Sequence, residues 1–350
     1  MLDNKNLYTL GKTLALANPT SSVAYSFADK SYSYKDLDDT FRSELNELVG
    51  NYQLWRENKN TLFTLLEEIV TEVLPVKVME QYGAFAEIKT YNQNEMPTFK
   101  IRVTEASKKR ARGFVSKVGL AGRYEVFKLD GSSFTVTTSA YGAACQVAIE
   151  ELLDGRANMA EFLQIAMEGL DEMLYAEIAA SLHSIKGQLP AMNVVEGNAF
   201  DRGEFNRLLS IADSYGSGKA TIYCTFEFAA TIIPGDKGWT DAMRQQVWDN
   251  GYLGNYMGHN VVVLRQSYTD KNHNKLVIDP SYCWIIPGGA EKPVKIALEG
   301  TTLMREVEHD DWSRDIQFYK KMGVGTMVNG DICVYINTTL KTAVTKKEWN

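Results

Sequence analysis

The sequence predicts a mixed α+β chain, and three observations predict it. Apolar residues recur at helical spacing in two long stretches, near 58–75 and 158–182. Helical and extended patterns then alternate from about 204 to 264, and the last third is dominated by strand-like alternation broken by glycine turns. With 350 residues and 45% hydrophobic content, the chain can bury a sizeable core, so disorder is not the default.

Residues 1 to about 56 are rich in Asn, Ser, Thr, Tyr and Asp, with weak helical periodicity around Leu7 to Leu16 and Phe41 to Val49. They read as an arm, not as core. In NKNTLFTLLEEIVTEVLP, Leu62, Leu65, Leu66, Ile69, Val70 and Val73 share one helix face, and Pro75 is the expected stop. AFAEIKTY and TFKIRV then alternate as half-buried strands around the turn NQNEMP. A polar, glycine-punctuated segment, EASKKRARGFVSKVGLAGR, precedes renewed alternation in YEVFKLDGSSFTVTTSAY. Together these predict a long projecting hairpin based on TFKIRV and YEVFKL.

CQVAIEELL, a short helix or strand, leads into the longest predicted helix. Its stripe is Met159, Phe162, Leu163, Ala166, Met167, Leu170, Met173, Leu174, Ile178 and Leu182, and it ends near Gly187 to Pro190. EFNRLLSIADSY and WTDAMRQQVWDN read as helices, ATIYCTF and NVVVLRQSY as strands, which makes an α/β segment. SYCWIIPGG, KPVKIALEG, DIQFYKKMGVGTMV and DICVYINTTL supply the closing strands.

The formal charge is −7, which argues against a surface globally adhesive to nucleic acid, so any basic function is local. Cys145, Cys224, Cys283 and Cys333 lie far apart and form no CxxC pair, so neither a disulfide framework nor a zinc knuckle is expected and a reducing compartment fits best. No apolar run reaches the length of a membrane span, and the start, with its early Asp3, is unlike a secretory signal. The expected place of synthesis is the cytoplasm.

The order of elements is arm, basic hairpin, long acidic helix, α/β domain and returning strands. Two stretches sharpen it: IEELLDGRANMAEFLQIAMEGLDEMLYAEIAASL, and WDNGYLGNYMGHNVVVLRQSY with Gly251, Gly254 and Gly258. From about 58 to 340 the chain resembles tailed-phage major capsid proteins of the Hong Kong 97 fold. The resemblance implies an N-terminal arm (1–57) and an extended E-loop hairpin (96–135). It implies a peripheral domain (58–95, 136–187 and 315–350) with a spine helix at about 158–184, and an axial α/β domain (188–314). It also implies a structural protein and not an enzyme, with no cofactor or metal. Copies would form the hexamers and pentamers of an icosahedral head around double-stranded DNA, contacted non-specifically if at all. The virion, assembled in the host cytoplasm, is the expected location. A portal protein is an expected partner, and a decoration protein is left open. The part before the E-loop is too short for both a fused scaffolding domain and an arm, so a separate scaffolding protein, or none, is expected. An encapsulin-like nanocompartment shell is the alternative within the fold.

Between Lys100 and Lys128 the chain is +7, while the remainder sums to −14. Between Glu150 and Glu177 eight acidic residues face only Arg156. In a shell, where the E-loop lies over a neighbour, these opposite charges would steer subunits into register. The contact candidates are Lys108, Lys109, Arg110, Arg112, Lys117 and Arg123 on the hairpin, and Glu161, Glu168, Asp171 and Glu172 on the helix. The plain alternative is that each run is a solvated face, since exposed ion pairs contribute little. A third reading takes KKRAR as a phosphate-neutralising arm, but only Phe114 and Tyr124 offer stacking nearby. In some relatives an E-loop lysine forms an isopeptide bond with a neighbour's asparagine. Lys108, Lys109 and Lys117 would be the donors here, with Asn329 or Asn337 as acceptors.

Catalytic patterns are not recognisable. YGSGKAT contains Gly218 and Lys219, but Asp213 stands where a phosphate-cradling loop needs glycine and Ala220 where it needs Ser or Thr. His183, His259, His273 and His309 show no ligand spacing, and His309 beside Asp310 and Asp311 reads as an acidic loop. No GxSxG elbow occurs. A soluble enzyme without a recognisable motif is the alternative from another class, resting on the α/β segment alone.

Overall fold

The computed structural model describes residues 4–17, 25–27, 30–100, 133–147, 159–216, 218–232, 240–268, 276–289, 291–309, 314–328 and 332–340, with the backbone alone for 4, 27, 30, 52, 145–147, 159–164 and 314. The chain is mixed α+β, as the periodicities predict. It divides into two compact units, the first made of residues 1–98, 135–177 and 295–325, the second of 99–134, 178–294 and 326–350.

The first unit begins with a helical layer: α1 (Asn4–Leu16), a short ribbon of β1 (Tyr25–Phe27) and β2 (Lys30–Tyr32), α2 (Tyr34–Val49) and α3 (Tyr52–Tyr82). Ser33 starts α2 with a capping box, accepting from the Asp36 amide while Asp36 accepts from its own. Those hydrogen bonds from Ser33 hold the exposed Asp36 carboxyl below its ordinary range. Leu7 and Leu10 of α1 and Leu37, Phe41 and Leu45 of α2 are buried, and both helices pack on α3. The expectation that these residues lie outside the core is therefore corrected. Each helix carries only a narrow apolar stripe, which reads as weak until α3 covers it. The packing is close: a Cβ on Gly11 would stand 2.5 Å from Ile69 and 2.9 Å from Phe41.

Pro75 does not end α3, which starts six residues before Asn58, capped by Asn51, and runs through the proline to Tyr82. A proline inside a helix costs about 3 kcal/mol or more. Val78, Tyr82 and the following Phe85 stay buried on the same side, and burying each such side chain returns about 1.5–3 kcal/mol. Tertiary burial outweighs the local penalty. Tyr82 also stacks on Tyr175, with ring centroids 6.0 Å apart.

A four-stranded sheet follows in the order β3 (Ala86–Tyr91), β12 (Val294–Glu308), β13 (Arg314–Thr326), β6 (Ser139–Val147). β13 and β6 pair antiparallel from Arg314 opposite Val147 to Met322 opposite Ser139. Alternate residues of β12 meet α3: the Thr71 hydroxyl donates to Thr302 at 2.9 Å, Glu67 accepts from the Met304 amide, and Lys59 pairs with Glu306 at 2.6 Å. A further ribbon, β4 (Thr98–Lys100) with β5 (Ser133–Thr135), brackets residues 101–132. The expected hairpin tip and its YEVFKL base lie outside the described residues.

The long helix α4 (Met159–Ser184) matches the predicted stripe at Ala166, Met167, Leu170, Leu174, Ile178 and Leu182, all buried, but Met173 is half exposed. The second unit is built on a six-stranded mixed sheet. Its order is β7 (Val194–Gly197), β14 (Cys333–Asn337), β11 (Tyr282–Gly288), β8 (Gly218–Cys224), β10 (His259–Val263), β9 (Asn255–Tyr256). Helix α5 (Arg202–Tyr215) presses Phe205, Leu208, Leu209 and Ala212 onto Cys224, Cys283, Ile285, Cys333 and Tyr335. Asp201 caps α5, and the Tyr335 hydroxyl accepts from the Asp201 amide at 2.6 Å while donating to the Ala199 carbonyl at 3.0 Å. Two short helices, α6 (Phe226–Ala229) and α7 (Asp241–Asn250), connect β8 to β9. The last strand, β14, thus sits inside this sheet, whereas β12 belongs to the four-stranded sheet.

Candidate assembly surfaces

The acidic helix predicted to carry inter-subunit contacts presents Glu168 and Glu172 to solvent, interleaved with the exposed Ile165 and Met173. Asp171 is partly withdrawn from that face: it is half-buried and accepts from the Tyr82 hydroxyl at 3.2 Å. Glu177 likewise accepts from Tyr141 at 3.1 Å, and burial together with Glu177 raises the Tyr141 pKa. Glu161 belongs to α4, but its side chain lies outside the description, as do Lys108, Lys109, Arg110, Arg112, Lys117 and Arg123. The structure therefore brings two predicted acids, Glu168 and Glu172, onto one open helix face.

The residues considered for chemistry take structural roles. Asp213 accepts from the Ala220 amide at 2.8 Å, and Lys219 donates to the Met257 carbonyl at 3.1 Å, so YGSGKAT is a turn feeding β8. His259 is buried with Nδ1 at 3.1 Å from the Ala220 carbonyl, and His183 packs edge-on to Tyr282 at 4.7 Å. His309 lies 2.7 Å from Asp315. Cys224 and Cys283 face each other across β8 and β11 as free, buried thiols, and desolvation pushes the Cys283 thiol up. Asn337 is 4% exposed and its carboxamide oxygen accepts from the Thr339 amide at 3.2 Å. Asn329 lies outside the described residues. Among the described residues no group of His, Cys, Asp or Glu could hold a metal ion, and no helix is long and apolar enough to cross a membrane.

Sequence reasoning missed a buried polar line in the first unit. Lys320 of β13 is fully buried and donates to Thr302 at 2.9 Å, with Glu299 also buried nearby. Desolvation lowers its pKa to about 8, while Glu299 pulls it back up. The only sequence signal is a lysine among apolar residues in a strand. Because the folded value lies below the ordinary 10.5, the unfolded chain holds the proton over the higher range and stability rises from about pH 8 to 10.5. Relative to Lys320→Met, the wild type should gain up to about 3 kcal/mol over that window in urea titrations. Parallel pH profiles would refute this assignment.

The outer face of the four-stranded sheet holds an open groove of about 720 Å³, lined by Gln93, Gly142, Ala143, Ala144, Leu303, Met304, Arg305, Gln317, Phe318 and Tyr319. Among the described residues no serine, cysteine, histidine or carboxylate lines it.

The family whose profile matches, over residues 17–336, is described as "SPbeta prophage-derived putative capsid protein YonB". The chain belongs to this family, and is a structural capsid protein. No curated protein matches it in sequence. Among solved structures it is similar to a virus-like particle from Pyrococcus furiosus, with 12% identity over 78% of this chain and 99% of that one at a TM-score of 0.42. The capsid of Cyanophage P-SCSP1u matches with 10% identity over 74% and 86%, at 0.46. The holo-SrpI encapsulin complex from Synechococcus elongatus matches with 8% identity over 72% and 84%, at 0.42. These are likenesses of chain course, and the functional reading rests on the family.

Proposed function

We propose that this chain is the major shell subunit of a phage head, with copies forming hexamers and pentamers that close into an icosahedral capsid around double-stranded DNA. The family match over residues 17–336 carries the reading. In it, the unit with the four-stranded sheet is the peripheral domain, the unit with the six-stranded sheet the axial domain, and residues 96–135 the hairpin that lies over a neighbour. The hairpin's +7 charge meets the acidic face of α4, where Glu168 and Glu172 are exposed. A portal, and a separate scaffolding protein if one is used at all, are the expected partners of an assembly that takes place in the host cytoplasm and ends in the virion.

Electron microscopy and sedimentation of the full chain, with and without residues 104–124, test this. Closed shells or capsomer-sized rings that vanish with the deletion are the expected result. A small monodisperse species unaffected by the deletion would sink the reading. Shells purified from the native source that enclose protein and no nucleic acid would move it to an encapsulin-like compartment.

A further inference from the structure

Cys224 ends β8 and Cys283 lies near the start of β11, and the two stand directly opposite each other in the antiparallel pairing of those strands. β8 and β11 are the two middle strands of the six-stranded sheet. Directly opposed residues of an antiparallel pair have Cα atoms about 4.5–5.5 Å apart. Disulfides form across Cα separations of about 4.4–6.8 Å, so this pair meets the requirement without moving the backbone. The side chains also share one face: both belong to the core under α5, both are 0% exposed, and the two thiols hydrogen-bond each other. Cys333 of β14 shares this core but stands opposite Ile285 instead of a cysteine.

Burial sets the terms on which this pair reacts. Desolvation, and after it the hydrogen bond between the thiols, pushes the Cys283 thiol up, and a buried thiol that keeps its proton is a poor nucleophile. Leu208 and Leu209 of α5 fill the same core. An oxidant therefore reaches the sulfurs only while the unit is open, during folding or in a partial unfolding. A bond made then is shielded from reductants once the unit closes.

We infer that Cys224 and Cys283 are a covalent modification site, a cross-strand dithiol that a small disulfide oxidant of the glutathione type converts to a disulfide while the unit is open, latching the middle of the sheet. One protein thiolate attacks the S–S bond of the oxidant, forms a mixed disulfide and releases one glutathione thiolate. The second protein thiolate attacks the protein sulfur of that mixed disulfide and releases the other. The two protein thiols give up two protons and two electrons, and the broken S–S bond of the oxidant takes the electrons. The new bond closes a loop over residues 224–283 that contains α6, α7, β9 and β10, and a loop of that length strongly restrains the unfolded chain. A copy folded under reducing conditions keeps two thiols, and one that opens and recloses under oxidising conditions keeps the bond. Both cysteines lie within the second unit, so the inference stands apart from the shell reading.

The full wild-type chain, refolded from urea in a mixture of oxidised and reduced glutathione, should carry a Cys224–Cys283 link in most copies when its peptides are mapped without reduction. Exchange with the mixture lets all pairings equilibrate, so the folded geometry selects the link. Folded protein held in the same mixture in the cold should keep both thiols, and a link that forms there as fast as in refolding protein overturns the opening step. Cys333→Ala should leave the link in place. The linked chain should unfold about 5 °C or more above the same chain kept in dithiothreitol, and Cys283→Ala should abolish that difference. Four alkylatable cysteines after refolding, or links drawn as often from Cys145 or Cys333, overturn the site. An unmoved midpoint in the linked chain overturns the latch.

Discussion

Reversing Lys108, Lys109, Arg110 and Arg112 to glutamate is expected to abolish shell formation at physiological salt. The four reversals turn a segment of +7 to −1, and in the proposed pairing that sets it against acids of its own sign on α4. Each exposed pair contributes only about 0.2–1 kcal/mol, but four per contact amount to about 1–4 kcal/mol, and every subunit in a closed shell repeats the contact. Wild-type assembly should weaken as salt rises, because pairs this exposed are screened beyond about 8–10 Å. Adding Glu168→Lys and Glu172→Lys should restore part of the assembly, since both side chains are exposed on the helix. Asp171 is the poorer choice, because it is held by Tyr82. Sedimentation across a salt series reads the result. Shells of unchanged yield and salt tolerance in the reversed variant would refute the pairing.

Trp284→Ala should cost about 3–5 kcal/mol of stability, the usual range for removing a buried tryptophan and leaving its cavity. Trp284 is 1% exposed on β11, stacks on Tyr282 at 5.8 Å and meets His183 edge-on at 5.6 Å. Its indole N–H donates to the Leu182 carbonyl at 3.1 Å, one of the last carbonyls of α4, which have no partner within the helix. The alanine variant therefore loses packing and orphans a buried acceptor at once. Set against a total stability of about 5–15 kcal/mol, the loss should leave a substantial unfolded population near physiological temperature. Trp284→Phe should lose less, chiefly the hydrogen bond and part of the volume. Urea midpoints measured by circular dichroism check both. A shift below about 1 kcal/mol for the alanine variant would mean that the site collapses around the gap.

Local periodicity made most elements legible. The stripe from Ala166 to Leu182, the alternation through β11 to β14 and the apolar residues of α5 each record which face is buried, because a 3.6-residue or two-residue period is set by the backbone alone. The opposed charge runs were equally plain, since charge is read off composition without any fold. Family membership bears out the capsid reading that the order of these elements suggested.

The partner of each buried face was decided only in three dimensions. α1 and α2 join the core because α3 is there to cover Leu10 and Phe41, and α3 continues past Pro75 because Val78 and Tyr82 have something to pack on. β14 enters the second sheet between β7 and β11, and Cys224 meets Cys283, through strand pairings far apart in sequence that no local pattern encodes. Lys320 lies under a helix, and Trp248 lies outside on one, although periodicity treats both simply as members of an element. The sequence by itself determined the elements, their faces and the separation of charge, since these follow from spacing along one backbone. The tertiary structure decided which faces meet, which polar groups are taken into the core and which apolar side chains stay exposed, since burial is a property of the whole chain's packing.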